Sequence, residues 1–277
     1  MLVMRTIDEL RSWRGRTPAS LGLVPTMGAL HEGHLALVRR AREQNDQTAV
    51  SIFVNPRQFG DPADLAGYPR TLERDLALLE AEAVDAVFVP AVEEMYPAKS
   101  RTTIQVAELS ELLEGDSRPG HFDGVCLIVC KLLNLFQPDR AYFGQKDYQQ
   151  LLVVQQMARD LNINAEIVAV ETVRDLHGLA ISSRNVFLSD RQMLAARRIP
   201  EALVLACNQF NEGERAAERL EALVYNQLIE DSSLAIEYVT LREAKTLELM
   251  EKVDRPAVLL VAVSCGDTRL IDNTLLG

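Results

Sequence analysis

Two histidines three residues apart, His31 and His34, close the stretch Pro25-Thr26-Met27-Gly28-Ala29-Leu30-His31-Glu32-Gly33-His34. The chain holds 4 histidines, so this spacing around a glycine arises from composition by chance on the order of one time in several hundred. Set where a strand gives way to a helix, the stretch suits an anion. Free backbone N–H groups at a helix N-terminus attract phosphate, Gly28 and Gly33 let the main chain approach closely, and both imidazoles can aim at one pocket. The plainer alternative makes both histidines helix caps or surface residues. A metal pair is disfavoured, because two histidines at this spacing do not supply enough ligands.

A second stretch, Phe143-Gly144-Gln145-Lys146-Asp147-Tyr148-Gln149-Gln150, lies at another strand-to-helix junction. Lys146 can neutralise phosphate and Asp147 can accept from ribose hydroxyls, although ordinary capping of a helix start accounts for the same residues equally well. A third, Ile181-Ser182-Ser183-Arg184-Asn185, puts two hydroxyls and a guanidinium in a polar loop: a clamp for departing pyrophosphate, or simply a turn. Cys126 and Cys130 fall in an apolar run and read as a buried thiol pair; no second pair completes a zinc site, and the cysteine usage suits a reducing compartment.

These stretches need a scaffold, and hydrophobic periodicity supplies one. Strand-like Leu21 to Pro25, a helix from His34 to about Gln44 and strand-like Thr48 to Val54 make a βαβ unit. A polar loop from Asn55 to Tyr68 leads to a predicted helix from Thr71 to Ala83, with Leu72, Leu76 and Leu79 on one face, and to strand-like Ala86 to Val89. Asp75 on that helix reads as surface charge, with assistance to Mg2+ as the alternative. Apolar residues three and four apart predict a core-facing helix from Phe122 to Phe136, followed by a strand at Ala141 to Phe143, a helix from Tyr148 to Asp160 and a strand at Glu166 to Val170. Strands alternating with helices predict an α/β protein with a doubly wound, mostly parallel sheet. Beyond Glu171 the pattern changes. Helices over Asp190 to Phe210 and Glu212 to Ile229 and strands at Ala235 to Thr240 and Ala257 to Ser264 predict a second, smaller α+β domain. The boundary is drawn at residues 1–172 and 173–277, and 277 residues exceed what one hydrophobic core usually holds.

Net charge is −11, which repels a nucleic-acid backbone but leaves a local cationic pocket for a small anion possible. Met1 to Trp13 lacks the apolar stretch of a secretory signal, so a cytoplasmic location is expected. The longest strongly apolar run, Ala257 to Cys265, is far short of the roughly 20 residues of a membrane span.

The HxGH element in this position resembles the nucleotidylyltransferase superfamily. More narrowly, PTMGALHEGH, SIFVNPRQF, GHFDGV, FGQKDYQQL and ISSRN, in this order from about Leu21 to Asn185, resemble the pantothenate synthetases, or pantoate:beta-alanine ligases. The resemblance implies a Rossmann-like domain, ATP and Mg2+, pantoate and beta-alanine as partners in the reaction, and a cytoplasmic homodimer. It implies further that Met27, Gly28, Ala29, Leu30, His31, Glu32, Gly33 and His34 line the ATP site, with His34 the proton donor. Gly144, Gln145, Lys146 and Asp147, together with Ile181, Ser182, Ser183 and Arg184, would contact ATP, and Val173 would lie near the adenine through its backbone. Gln58 would hold pantoate and beta-alanine, and Gln150 pantoate. The smaller domain would carry the serine-arginine loop and cover the cleft. Two positions depart from the family pattern, Gln145 where Glu is usual and Ile181 where Met is usual.

A carboxylate does not condense with an amine at neutral pH, and adenylation removes that obstacle by creating AMP as a leaving group. His34, Lys146, Ser182, Ser183 and Arg184 would meet the charge growing on pyrophosphate, as the catalytic His31 would beside them. Arg118 and His121 in SRPGHF are weaker candidates whose plain role is loop structure. Other possibilities are a nucleotidylyltransferase acting on a phosphorylated acceptor, a protein like an aminoacyl-tRNA synthetase, or a non-catalytic nucleotide-binding module.

Overall fold

A computed structural model describes residues 1–16 and 18–277, which divide into two compact units, Met1–Glu171 and Thr172–Gly277. The first is built on six parallel strands: β1 (Leu2–Met4), β2 (Leu21–Thr26), β3 (Gln47–Ile52), β4 (Ala86–Phe88), β5 (Arg140–Gly144) and β6 (Glu166–Val170). Their order across the sheet is β1-β4-β3-β2-β5-β6, so the winding reverses between β2 and β5. Ligands of open α/β sheets bind where such a reversal opens a crevice beyond the carboxyl ends of the strands. Here the crevice has a visible origin. β2 pairs with β3 along its whole length, to Thr26 opposite Ile52, but with β5 only at Gly22 and Leu23.

Both faces of the sheet are covered, and so β2 and β3 are nearly continuous apolar runs. On one face the helix His121–Phe136 packs Phe122, Val125, Cys126, Val129, Leu132 and Leu133 against Leu21, Leu23, Ala49 and Ala141. On the other, the helix Glu32–Gln44 sets Leu37, Val38 and Ala41 against Val24, Val50 and Tyr142. That second contact is close at Gly22, where a Cβ would sit 2.6 Å from Asn45 Nδ2 and 3.1 Å from Ala41 Cβ.

In the second unit the helices Asp190–Ala196, Arg198–Asn211 and Ala217–Ile229 accompany an antiparallel sheet of β7 (Leu234–Glu243), β8 (Ala257–Cys265) and β9 (Thr268–Leu276), with the apolar β8 in the middle. The single helix expected over Asp190 to Phe210 is two. Pro200, in the first turn of the second helix, has no N–H to give the preceding turn and its ring crowds that turn's carbonyl, so the chain breaks at Arg197.

Two strands escaped the sequence reading for different reasons. β1 is three residues long with only Met4 buried, too short for any alternation to register. β9 carries Asp272 and Asn273, which look like a loop but are buried: Asp272 is paired with Arg174 through bonds of 2.7 and 2.9 Å. Cys126, Cys130, Cys207 and Cys265 are all free thiols, and burial pushes Cys126 up to about 12. Among the described residues no helix is long and apolar enough to cross a membrane.

Leu23 is completely buried in the central strand. Leu23→Ala should destabilise the first unit by about 2–5 kcal/mol. The sole tryptophan, Trp13, packs against the same core and reports that unit's unfolding by fluorescence in a urea titration.

Candidate active site

Past Thr26 the chain turns sharply, with φ of +83° at Gly28 and +50° at Ala29. Glycine takes such angles freely and alanine seldom does, so something must hold Ala29 there. Thr26 Oγ1 donates to Ser51 O at 2.8 Å and accepts from Gly28 N at 3.2 Å. The next two N–H groups go to one carboxylate: Asp75 accepts from Ala29 N through Oδ2 and from Leu30 N through Oδ1, each at 2.9 Å. Thr71 Oγ1 donates to the same Oδ1 at 3.1 Å. Asp75 is 1% exposed, so the reading of it as surface charge is overturned. The sequence carried the signal, since Asp75 lies three residues after Leu72 and four before Leu79, on the inward stripe of the helix Leu72–Ala81.

His31 is the N-cap of the helix Glu32–Gln44, and it forms a reciprocal box with His34. His31 Nδ1 accepts from Gly33 N at 3.1 Å, and His34 Nδ1 accepts from His31 N at 3.3 Å. The rings lie 4.1 Å apart between centroids. The two readings open in the sequence therefore coincide, because the histidines are caps and capping orients them. It also fixes the tautomer: with Nδ1 accepting from a backbone N–H, a neutral ring carries its proton on Nε2. Burial pushes His34 down to about 3, helped by the neighbouring His31 and Lys146 and opposed by Asp147. Burial also lowers His31, with Lys146 and Arg74 acting in the same sense and Asp147 against them. Both rings are neutral at pH 7. The expectation of free backbone N–H groups is narrowed accordingly to Glu32, since those of Gly28, Ala29, Leu30, His31 and Gly33 already have acceptors in the chain. Beside the Glu32 N–H at the helix start, a pair of Nε2–H groups remains to meet an anion.

Gly144 ends β5, and Gln145–Asp147 form a 3-10 turn leading into the helix Tyr148–Asp160. Lys146 Nζ stands 3.7 Å from Asp147 Oδ1, and the charges of both are felt at His31 and His34. The ends of β2 and β5 thus bring the first two sequence signals together. Gln149 and Gln150 divide their duties. Gln149 is buried and holds the loop before the helix His121–Phe136, accepting from Glu114 N and donating to Leu109 O and Leu112 O, while Gln150 is partly exposed.

Gln58 is buried in the short turn Pro56–Gln58. Its Oε1 accepts from Asn55 Nδ2 at 3.0 Å, and its Nε2 lies 3.1 Å from Met27 Sδ in the histidine turn. Asn55 also donates to Gly124 O, and its Oδ1 accepts from Tyr96 OH at 2.8 Å. His121 donates from Nδ1 to Gln58 O at 2.8 Å and faces Arg118 through Nε2 at 3.3 Å. Gly124 has no alternative residue, as a Cβ there would fall 2.3 Å from Arg57 O. Asn55 and Tyr96 were missed as determinants of this site because the bonds that reveal them, Asn55 to Gly124 O and Tyr96 to Asn55, span 69 and 41 positions in sequence, whereas His121, a weaker candidate in the sequence, holds Gln58 across 63.

The second unit arranges its own candidates. Val173 O accepts from Ile181 N at 2.9 Å, which closes a turn around Arg174 and Ala180. Ser182 Oγ caps the 3-10 turn Ser183–Phe187 by accepting from Arg184 N at 3.2 Å. The bonds of Arg174 to Asp272 and to Gly178 O anchor this segment to β9.

The family model described as pantoate-beta-alanine ligase matches residues 2–275. The chain belongs to the pantoate-beta-alanine ligase family. It is 50% identical over 279 residues to the pantothenate synthetase of Moorella thermoacetica, covering 100% of this chain and 99% of that one. It is 48% identical over 280 residues to that of Thermotoga petrophila, with both chains fully covered. The crystal structure of pantothenate synthetase from Thermus thermophilus superposes with a TM-score of 0.95 at 44% identity, covering 99% of each chain. A pantoate-beta-alanine ligase from Francisella tularensis, complexed with beta-gamma ATP and beta-alanine, gives 0.81 at 35%, covering 99% of this chain and 97% of that one.

Burial pushes His121 down to about 4 from 6.5, with Arg118 acting in the same sense. The unfolded chain then binds protons that the folded chain refuses, so the stability this residue contributes is complete above pH 6.5 and is lost as pH falls toward 4. His121→Gln should flatten the slope of unfolding free energy against pH in that window, measured by urea denaturation at stepped pH. An unchanged slope would contradict the buried neutral ring.

Proposed function

We propose that this chain condenses pantoate with beta-alanine, using ATP and releasing AMP and pyrophosphate through a pantoyl adenylate. The observation that carries this reading is the pair of neutral imidazoles beside Lys146, at the point where β2 and β5 part, joined through Met27 to the buried Gln58. A phosphate-binding element and an amide able to grip a small polar acid are thereby parts of one site. Family membership supplies the substrates, and the relative from Francisella tularensis is complexed with beta-gamma ATP and beta-alanine.

In this mechanism a carboxylate oxygen of pantoate attacks the α-phosphorus of ATP, and the bond to the bridging oxygen breaks as pyrophosphate leaves. The Nε2–H groups of His31 and His34 and the ammonium of Lys146 stabilise the charge that develops. His34 acts as a neutral hydrogen-bond donor with its proton on Nε2, rather than as an imidazolium acid, because its environment holds it far below neutral pH. The segment Met27 to Gly33 shapes the nucleotide pocket. Gln58 and Gln150 orient pantoate, and Gln58 with its backbone pinned by His121 presents its amide to beta-alanine. The amine then attacks the acyl carbon and AMP departs. In the second unit, Ser182, Ser183 and Arg184 are donors of the kind that meet phosphate oxygens.

Mg2+ bound to the triphosphate would neutralise charge there, and such an ion commonly takes one or two protein carboxylates. Asp147, beside Lys146, fits that need. Asp75 does not, because both of its oxygens accept backbone N–H groups. Gln145 in place of the family's usual Glu removes one charge from this neighbourhood. The free thiols suit the cytoplasm, and a homodimer is the assembly this reading carries.

The chain should exchange labelled pyrophosphate into ATP when pantoate is present and beta-alanine absent, and release AMP only once beta-alanine is added. ADP among the products, or exchange that ignores pantoate, would sink the adenylate route. Removing His34 as a donor, in His34→Ala, should lower kcat by a factor of about 10² to 10³ in a chain that remains folded.

Gln58→Ala should raise the KM for pantoate and leave that for ATP nearly unchanged, as measured in steady-state kinetics with each substrate varied in turn. A rise confined to the ATP KM would remove Gln58 from the acid site.

A further inference from the structure

We propose that Asp75 is the residue that positions the two histidines: it touches no substrate, and it sets the imidazoles by fixing the turn that precedes them. The inference rests on the reading of His31 and His34 as phosphate-binding groups, and adds to it the element that makes them so.

A carboxylate buried on the inward face of a helix is costly unless its oxygens are hydrogen-bonded. Here the bonds go to the N–H groups of Ala29 and Leu30, the two residues immediately before His31. Ala29 holds φ at +50°, a conformation that a residue with a side chain keeps only when its surroundings enforce it. Hydrogen bonds to an ionised group are among the stronger ones, and two of them on consecutive residues lock both peptide planes. The geometry leaves little slack, as a Cβ on Gly28 would lie 3.1 Å from Asp75 Oδ2.

Asp75 is itself fixed at a helix start. Its N–H donates to Thr71 O at 2.9 Å and its Oδ1 accepts from Thr71 Oγ1 at 3.1 Å, so the carboxylate cannot follow a turn that drifts. From Leu30 the constraint passes one residue along to His31, whose N–H is held by His34 Nδ1. A continuous path therefore runs from the helix Leu72–Ala81 to both rings, and three of the roughly four acceptor sites of the carboxylate are occupied along it.

Asp75→Asn tests this directly, because an amide can accept from one of the two N–H groups but must point its own NH2 at the other. Displacing the rings should lower the rate of pantoate-dependent pyrophosphate exchange on the order of 10²-fold. The loss should also be strongly non-additive with His34→Ala, since a residue that works through His34 has little left to disturb once that ring is gone. Full additivity, or wild-type exchange in a folded Asp75→Asn chain, would overturn the proposal. Imidazole 15N spectra read the same link without turnover: Asp75→Asn should shift the Nδ1 signals of His31 and His34, and unchanged signals would likewise overturn it. If Asp75→Asn does not fold, Thr71→Ala keeps the charge but frees the carboxylate, and is held to the same exchange, additivity and spectral outcomes with a smaller loss. A wild-type chain that shows no exchange while Asp75→Asn shifts the imidazole signals would reject the reaction and retain the positioning role.

Discussion

Backbone N–H groups buried beyond the end of a strand must find acceptors, and in this chain the acceptors they find determine the site. Five donors between Gly28 and Gly33 are taken up by Thr26, Asp75, His34 and His31. An unpaired one would cost about 1–3 kcal/mol. Satisfying them internally reduces the usual anion-binding surface of a helix N-terminus to the Glu32 N–H and adds side-chain donors of defined direction. An imidazole that caps through Nδ1 has only Nε2 to offer. The same bonds thus stabilise the turn, select the tautomer and aim the proton.

Keeping those rings neutral follows from their surroundings. Both lie next to Lys146, each lies next to the other, and His34 is well shielded from water, so protonation would place like charges together in a poorly solvated place. A neutral Nε2–H still donates a hydrogen bond, and it does so over a wide range of pH. The positive charge of the site then resides on Lys146, at the carboxyl end of β5, while directional donation resides on the histidines at the end of β2. The parting of these two strands after Gly22 and Leu23 gives each set its own wall of the crevice.

The Gln58 region follows the same logic of accounting for polar groups. Its side-chain carbonyl is held by Asn55, its backbone carbonyl by His121, and Asn55 in turn by Tyr96 and Gly124. A residue fixed on so many sides loses little conformational freedom on meeting a ligand. Met27 joins this cluster to the histidine turn, so that the two are parts of one packed region.

Periodicity and local chemistry in the sequence determined the alternation of strands and helices, the doubly wound parallel sheet, the change of character near residue 171 and the stretches around His31 and Lys146, while Gln58 stood out only through the family resemblance. These were legible because each depends on residues within a few positions of one another. Tertiary structure alone decided the rest. Asp75 reaches Ala29 across 46 positions, His121 reaches Gln58 across 63 and Arg174 reaches Asp272 across 98. In each case a polar or charged side chain that resembles surface or loop in one dimension is buried in three, and its meaning comes from the partner that satisfies it. Hydrophobic patterning tells a chain which face to bury; it does not say which buried polar atoms will meet, because that depends on the register and the crossing of elements distant in sequence.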